Sequence, residues 1–210
     1  MNNRIMGLRA AVVGSLLFTA IADASIYRVM PSDTNVVAGA TTGFSVEVET
    51  EAGDNVVDVG YFSFAIDLAL TGTGGAMGSD VSNVLINETV FDDLSSISIG
   101  LAQGSQYLGI AGVTTDFLPP TFGNNAGDIT WLFGFDLIIP LAAEPGDTIT
   151  IIPSEGTLEN LIANTTFDNV FPQRFESATL TVVPEPTSLL LLTLGAGVIL
   201  GARQRRWPSG

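Results

Sequence analysis

Phe44-Ser45-Val46-Glu47-Val48-Glu49 alternates apolar and polar residues along its whole length. Successive side chains of a β-strand point to opposite faces, so Phe44, Val46 and Val48 share one face while Glu47 and Glu49 share the other. That is a strand with one side in a core and one in water. Residues 61–70 repeat the pattern with Phe62, Phe64, Ile66 and Leu68 on one face. Residues 129–139 repeat it again, and strict alternation predicts that Trp131, Phe133, Phe135, Leu137 and Ile139 all face the core.

Working outward, shorter strand candidates occupy 26–30, 81–86, 97–101, 107–113, 148–152 and 178–183. Between them lie turn-forming clusters: Gly72-Thr73-Gly74-Gly75, Pro119-Pro120, 123–128 and Glu144-Pro145-Gly146-Asp147. Many short strands punctuated by turns predict an all-β, antiparallel sandwich. No long amphipathic helical pattern occurs, which limits helix to a turn near 87–94 or 158–164. No repeat of fixed period is present, which argues against a solenoid or propeller.

The order of these strands is similar to a known family. A leading strand at 26–30, Val37-Ala38-Gly39 before Phe44 to Val48, and then Tyr61-Phe62-Ser63-Phe64-Ala65-Ile66-Asp67 resemble the opening of a cohesin-like domain. Residues 127–135 followed by 146–151 resemble its paired late strands. The resemblance implies a nine-stranded jelly-roll sandwich whose relatives bind dockerins on one sheet face, or bind polysaccharide. The chain carries no dockerin-like calcium repeat, so a partner would be another protein. Residues 71–77 are Gly-rich where many members continue a regular strand, so the resemblance brings a fold and no binding residues.

Both ends read as address labels. Arg4 and Arg9 precede an apolar run at 10–21, followed by the small-x-small site Ala22-Asp23-Ala24. Residues 1–24 are therefore expected to be a secretory signal peptide, cleaved between Ala24 and Ser25. No Arg-Arg pair precedes the apolar run, which favours the general secretory route over the twin-arginine one. An uncleaved anchor is the alternative, for which the apolar run is short.

At the other end, Pro184-Glu185-Pro186 is followed by an uncharged run at 187–202 and then by Arg203, Arg205 and Arg206. Proline fixes its own φ and pushes the preceding residue toward extended conformations, so the tripeptide reads as a strip that a processing enzyme could grip. The run of about 16 residues would span ~24 Å as a helix, slightly short of a full bilayer crossing. The arginines fit a cytoplasmic stop, leaving 203–210 as a basic cytoplasmic tail and everything before Pro184 outside. This order resembles the PEP-CTERM sorting signal of Gram-negative bacteria. The resemblance implies a transient membrane helix, an exosortase as processing partner, and delivery to the cell surface or extracellular matrix. A permanent anchor is the alternative.

The domain between the labels, 25–183, is long enough for one core. Of the chain's 22 acids only Asp23 and Glu185 lie outside it; its only cations are Arg28 and Arg174, giving a net charge of 20 negative against 2 positive, or −18. Lysine is absent. Such a surface repels phosphate backbones and anionic lipid, which excludes nucleic acid as a partner. Without cysteine the exported domain has no disulfide available to it.

Catalytic groups are scarce. The chain has no histidine, cysteine or lysine, which removes the commonest general base, the thiol nucleophile and a Ser-Lys dyad. The 72–78 segment has neither the Gly spacing of a dinucleotide fingerprint nor the Lys of a P-loop. Asp92-Asp93 is the one obvious carboxylate pair for glycoside hydrolysis, but adjacent side chains diverge. No catalytic residue and no cofactor is expected, calcium excepted. Asp54-Asn55 with Asp58, Asp92-Asp93, and Asn124-Asn125 with Asp128 could offer oxygen ligands to calcium, or be ordinary solvated turns; none matches an EF-hand loop. Asn87-Glu88-Thr89 and Asn164-Thr165-Thr166 satisfy the N-glycosylation sequon, which is usually coincidental in bacteria. Trp207 lies in the basic tail, where it could serve as an interfacial anchor.

The sequence thus predicts an exported, non-catalytic β-sandwich with a structural or adhesive role in an exopolysaccharide or biofilm envelope. The alternative is a carbohydrate-binding or cohesin-type interaction module.

Overall fold

The computed structural model describes residues 25–115, 123–156, 163–164, 170 and 173–185. The expected signal peptide with Ala22 and Ala24, Pro186, the apolar run 187–202 and the tail with Arg203, Arg205 and Arg206 lie outside the described residues. Among the described residues no helix is long and apolar enough to cross a membrane.

Among the described residues twelve strands form two packed sheets. They are β1 (Ser25–Pro31), β2 (Asn35–Val36), β3 (Thr41–Glu49), β4 (Tyr61–Thr71), β5 (Val81–Ile86), β6 (Ser98–Gln103), β7 (Gln106–Val113), β8 (Ile129–Ile138), β9 (Thr148–Glu155), β10 (Ala163–Asn164), β11 (Gln173–Glu176) and β12 (Ala178–Val182). One sheet runs β11-β1-β3-β8-β5; the other runs β2-β12-β9-β4-β7-β6, with β10 paired to β4.

The sandwich is not wholly antiparallel. β1 pairs β11 and β2 pairs β12 in parallel, because the first and last segments of the domain run side by side and both switch sheets midway. Ser25 faces Gln173 at one end of this double ribbon, and Val36 faces Val182 at the other. Ser25 and Val182 therefore lie at opposite ends of the ribbon.

Alternation builds the core as expected in β3, where Phe44, Val46 and Val48 are buried. Phe44 stacks on Phe135 at 4.8 Å, and Phe64 stacks on Phe133 at 5.7 Å while Phe91 meets it edge-on at 4.7 Å. The Phe64–Phe133 stack joins the two sheets, whereas Phe44–Phe135 is a cross-strand pair within one of them. Central strand β4 is covered on both faces, so Ser63, Ala65 and Asp67 are buried beside Phe64, Ile66 and Leu68. The Asp67 carboxylate is accommodated because Gly109 donates its N–H to Oδ1 at 2.7 Å.

One expected face is corrected in β8. Val46 pairs Phe133 but Glu47 pairs Trp131, so Leu132 is the extra residue of a β-bulge. Leu132 and Phe133 both point inward, and the phase before the bulge is reversed. Trp131 consequently lies on the outer face, 39% exposed. Phe133, Phe135, Leu137 and Ile139 are buried as alternation predicts.

Among the described residues helix is confined to a single turn at Gly78–Asp80, and the 87–91 segment is a turn in which the Asn87 carbonyl accepts from Val90 and Phe91. Of the other expected helical turn, 158–162 lies outside the described residues. Residues 163–164 are strand instead, because they pair with the otherwise open end of β4 at Ser63 and Tyr61. The glycine segment is pinned rather than loose: Gly74 donates to the Thr148 carbonyl at 2.9 Å, and Thr73 Oγ1 accepts from Thr148 N–H at 3.1 Å.

Candidate functional site

The exit of the chain is defined by its last hydrogen bond. Val182 N–H donates to Asp147, its carbonyl accepts from Gly146, and Val183 N–H donates to Val36 at 2.7 Å. Pro184 has no N–H to continue the ladder, and the strand ends at Val182, two residues before it. Pro184 and Glu185 are exposed just beyond that clamp. The structure thus places the start of the Pro-Glu-Pro strip at the surface, directly after a firmly held strand.

A second feature is an apolar lip. β6 is the free edge of its sheet and exposed along its length except at Gly100, which is half-buried. Ile99 pairs Ile110 and Leu101 pairs Leu108, which places two large apolar side chains on this edge strand. They remain 59% and 57% exposed. Leu85, on the edge strand of the other sheet, is 65% exposed.

Trp131 forms a third. Gly134 is the next outward residue after the bulge, and a Cβ there would lie 3.6 Å from Trp131 Cζ2 and 4.0 Å from Nε1. The indole therefore extends along β8 over a bare glycine. Asp136, bonded by Asn83 at 2.7 Å, lies further along the strand, and Glu47 pairs Trp131 across it. Trp131 is the only aromatic residue among the large exposed hydrophobics of the described residues, so no aromatic row is present.

The 54–58 and 124–128 loops meet, Asp58 N–H donating to the Asn124 carbonyl at 2.8 Å, but among the described residues their acidic side chains do not gather into a metal-type cluster. Asp92 accepts from Thr115 N–H at 2.7 Å and Thr115 Oγ1 at 2.8 Å, whereas Asp93 accepts from Ser95 and Ser96. The pair diverges, and these bonds hold both carboxyls below the ordinary range: Thr115 N–H for Asp92, the Ser95 hydroxyl for Asp93. Asp128 accepts from Asn125 N–H and Nδ2, and Asp54 lies buried, away from Asp58 on the surface. Among the described residues no three carboxylates converge as a metal site would need.

Both cations of the domain are committed. Arg28 binds Glu49, and through Nε it binds Glu176 at 3.0 Å; Arg174 binds Glu176 at 2.8 Å. Glu176 is held below its usual range chiefly by Arg28, while Arg28 is raised chiefly by Glu176. This cluster fastens β11 to β1 and β3.

A buried polar knot lies beside Ser25, unforeseen from sequence. Ser25 Oγ donates to Asp54 Oδ2 at 2.6 Å and shares a 2.8 Å hydrogen bond with Tyr61 OH. Burial pushes Tyr61 up to about 12 and raises Tyr27 well above the usual phenol value. Only the spacing of Ser25 and Tyr27 on one strand face hinted at it; the partner Asp54 arrives from a loop.

Fold and terminus together define an exported β-sandwich that carries a sorting signal. Residues 182–206 match the PEP-CTERM protein-sorting motif, and the sandwich is cohesin-like. It is similar to the seventh ScaB type I cohesin from Pseudobacteroides cellulosolvens, at 12% identity and a TM-score of 0.52 over 78% of this chain and 95% of that one. The sixth cohesin of scaffoldin B from Acetivibrio cellulolyticus, solved with a Cel5 dockerin, matches at 10% identity and 0.52 over 78% and 100%. The OlpA cohesin of a type I cohesin–dockerin complex from Clostridium thermocellum matches at 12% and 0.50 over 75% and 99%. No curated protein matches the chain.

Proposed function

We propose that this chain is a non-catalytic protein-interaction module, exported, sorted by an exosortase and retained as a structural or adhesive component of the envelope or extracellular matrix. The observation that carries the proposal is the position of the sorting motif: it begins at Val182, the last residue of the last strand of a cohesin-like sandwich, and Pro184 and Glu185 are exposed just beyond it. Signal peptidase cuts between Ala24 and Ser25. Pro184, Glu185 and Pro186 are substrate residues for the exosortase, 187–202 holds the precursor in the membrane, and Arg203, Arg205 and Arg206 keep its end in the cytoplasm.

The solved cohesins above include dockerin complexes, and this chain has its own candidate surface in the Ile99–Leu101 lip. A partner that adds a strand to β6 would cover that lip while the backbone pairs. The charge of −18 favours a partner with basic residues around its apolar contact. Terminal sequencing and intact mass of the protein from its native cells test the sorting. A product running from Ser25 to the Pro184–Pro186 strip is expected; a mature protein still carrying Arg203–Arg206 sinks it.

A second reading, neutral-glycan binding, is favoured by one observation: the outward indole of Trp131 over Gly134. Flat aromatic faces take sugar rings through apolar and C–H contacts. Trp131 is the only tryptophan between 25 and 183, so its fluorescence reports directly. A saturable spectral shift with neutral glucan oligosaccharides, lost in Trp131→Ala, is expected on this reading; an unchanged spectrum counts against it.

A further inference from the structure

The buried knot at the start of β1 lacks a cation. Asp54 is 4% exposed, and Oδ2 accepts from both Ser25 Oγ and Glu51 N–H, while Oδ1 has no hydrogen-bond partner. Tyr27 OH, on the same strand face as Ser25, is the other buried polar atom without one. A carboxylate taken out of water with an unsatisfied oxygen is strongly destabilising unless a positive charge joins it. No side chain of the domain supplies that charge. Lysine and histidine are absent, and Arg28 and Arg174 are both bound to glutamates.

The residue touching Asp54 is Ser25, the residue that export is proposed to leave first. Its backbone nitrogen and its Oγ are three bonds apart, so the nitrogen lies within roughly 4 Å of an atom that is itself 2.6 Å from Asp54. We propose that Asp54, with the Tyr27 and Tyr61 hydroxyls, is a buried receptor for the protein's own new N-terminus: cleavage after Ala24 creates an ammonium at Ser25 that pairs with the free Asp54 oxygen. Hydrolysis of the 24–25 peptide bond consumes one water, leaves a carboxylate on Ala24 and frees the amine, which takes a proton at neutral pH. In the uncleaved precursor that nitrogen is a neutral amide and Asp54 stays uncompensated. Removal of the leader therefore completes the fold and fastens β1 at the end opposite the sorting strip.

The inference rests on the proposed signal cleavage, and one preparation separates the two. The full-length gene is expressed in an exporting host, and the mature protein's N-terminus is read by mass. A chain without lysine has a single primary amine, so an amine-acylating reagent reports on residue 25 alone. Labelling of the native protein is expected to be at least about tenfold slower than in urea, with Asp54→Asn restoring most of the difference. Burial alone would also slow labelling, so the sign of the amine's titration decides. The titratable groups around it are Asp54, Tyr27 and Tyr61, with Glu155 also acting on Tyr27. Pairing with Asp54 moves the amine's labelling midpoint above the ordinary ~8, whereas desolvation without a partner moves it below. This measurement needs only the wild-type protein and so survives an Asp54→Asn variant that fails to fold. A terminus other than Ser25 overturns both proposals. A Ser25 terminus whose amine titrates at or below the ordinary value, or labels as fast native as unfolded, overturns this one alone.

Discussion

Two glycines of similar backbone separate strain from contact at the residue scale. Gly72 has φ +107° and Gly53 has φ +100°, a region that L side chains rarely adopt. A Cβ on Gly72 would sit 2.3 Å from the Thr148 carbonyl oxygen, whereas Gly53 has nothing within 4 Å. Gly53→Ala therefore carries the backbone term alone, about 1 kcal/mol. Gly72→Ala adds displacement of β9 backbone and is expected to cost at least ~2 kcal/mol more. Urea denaturation of both variants checks this; equal losses would mean that the loop gives way freely. Trp131 shows where residue-level reading failed. Alternation assigns it to the core, and only the insertion of Leu132 on one side of a strand pair turns it outward. A bulge depends on the partner strand, and nothing in residues 129–139 alone announces it.

Elements were legible in proportion to their alternation. β3, β4 and β8 carry clear periodic apolar faces, and β5, β7, β9 and β12 were shorter candidates set between turn residues. Asn35–Val36 and Gln173–Glu176 are strands only because a parallel neighbour holds them, and their sequences show neither length nor period. The candidate surfaces were less legible, since the exposure of Ile99 and Leu101 depends on β6 being left at the edge of its sheet. The β8 junction bears most of the packing, because Phe133 meets both Phe64 and Phe135. Phe133→Ala is expected to destabilise by about 3–5 kcal/mol in equilibrium unfolding. The β6 lip should behave oppositely. Ile99→Thr with Leu101→Thr removes exposed apolar surface, so each is expected to shift stability by no more than ~0.5 kcal/mol. If β6 is the docking edge, the same pair abolishes co-purification of the partner from native matrix; retained capture would move the interaction elsewhere on the sandwich.

For the whole molecule, charge decides how stability responds to solvent. Three ion-pair contacts involve Arg28 and Arg174, against 20 acids in the same domain. Added salt weakens those exposed pairs, each worth little, but it also screens the repulsion among the remaining carboxylates. Repulsion involves many more groups, so the melting temperature at neutral pH is expected to rise from low to physiological ionic strength. A fall would mean that the Arg28 cluster outweighs the field of the surface. Acid acts through different groups. Asp92, Asp93, Asp147 and Glu176 all have lowered folded-state pKa values, set chiefly by Thr115 N–H, the Ser95 hydroxyl, Glu144 N–H and Arg28 respectively. A lowered folded value means that the unfolded chain binds protons first as pH drops. The stabilisation is thus fully present above the unfolded values near ~4 and is lost as pH falls through the lower folded ones. Between neutral pH and about 5 these four groups contribute no change, while any acid with an ordinary or higher pKa that begins to protonate only reduces repulsion. Thermal unfolding across that interval should show a flat or rising melting temperature, followed by a decline below about 4. A decline beginning near pH 6 would have to come from a group outside these four and would contradict the assignment.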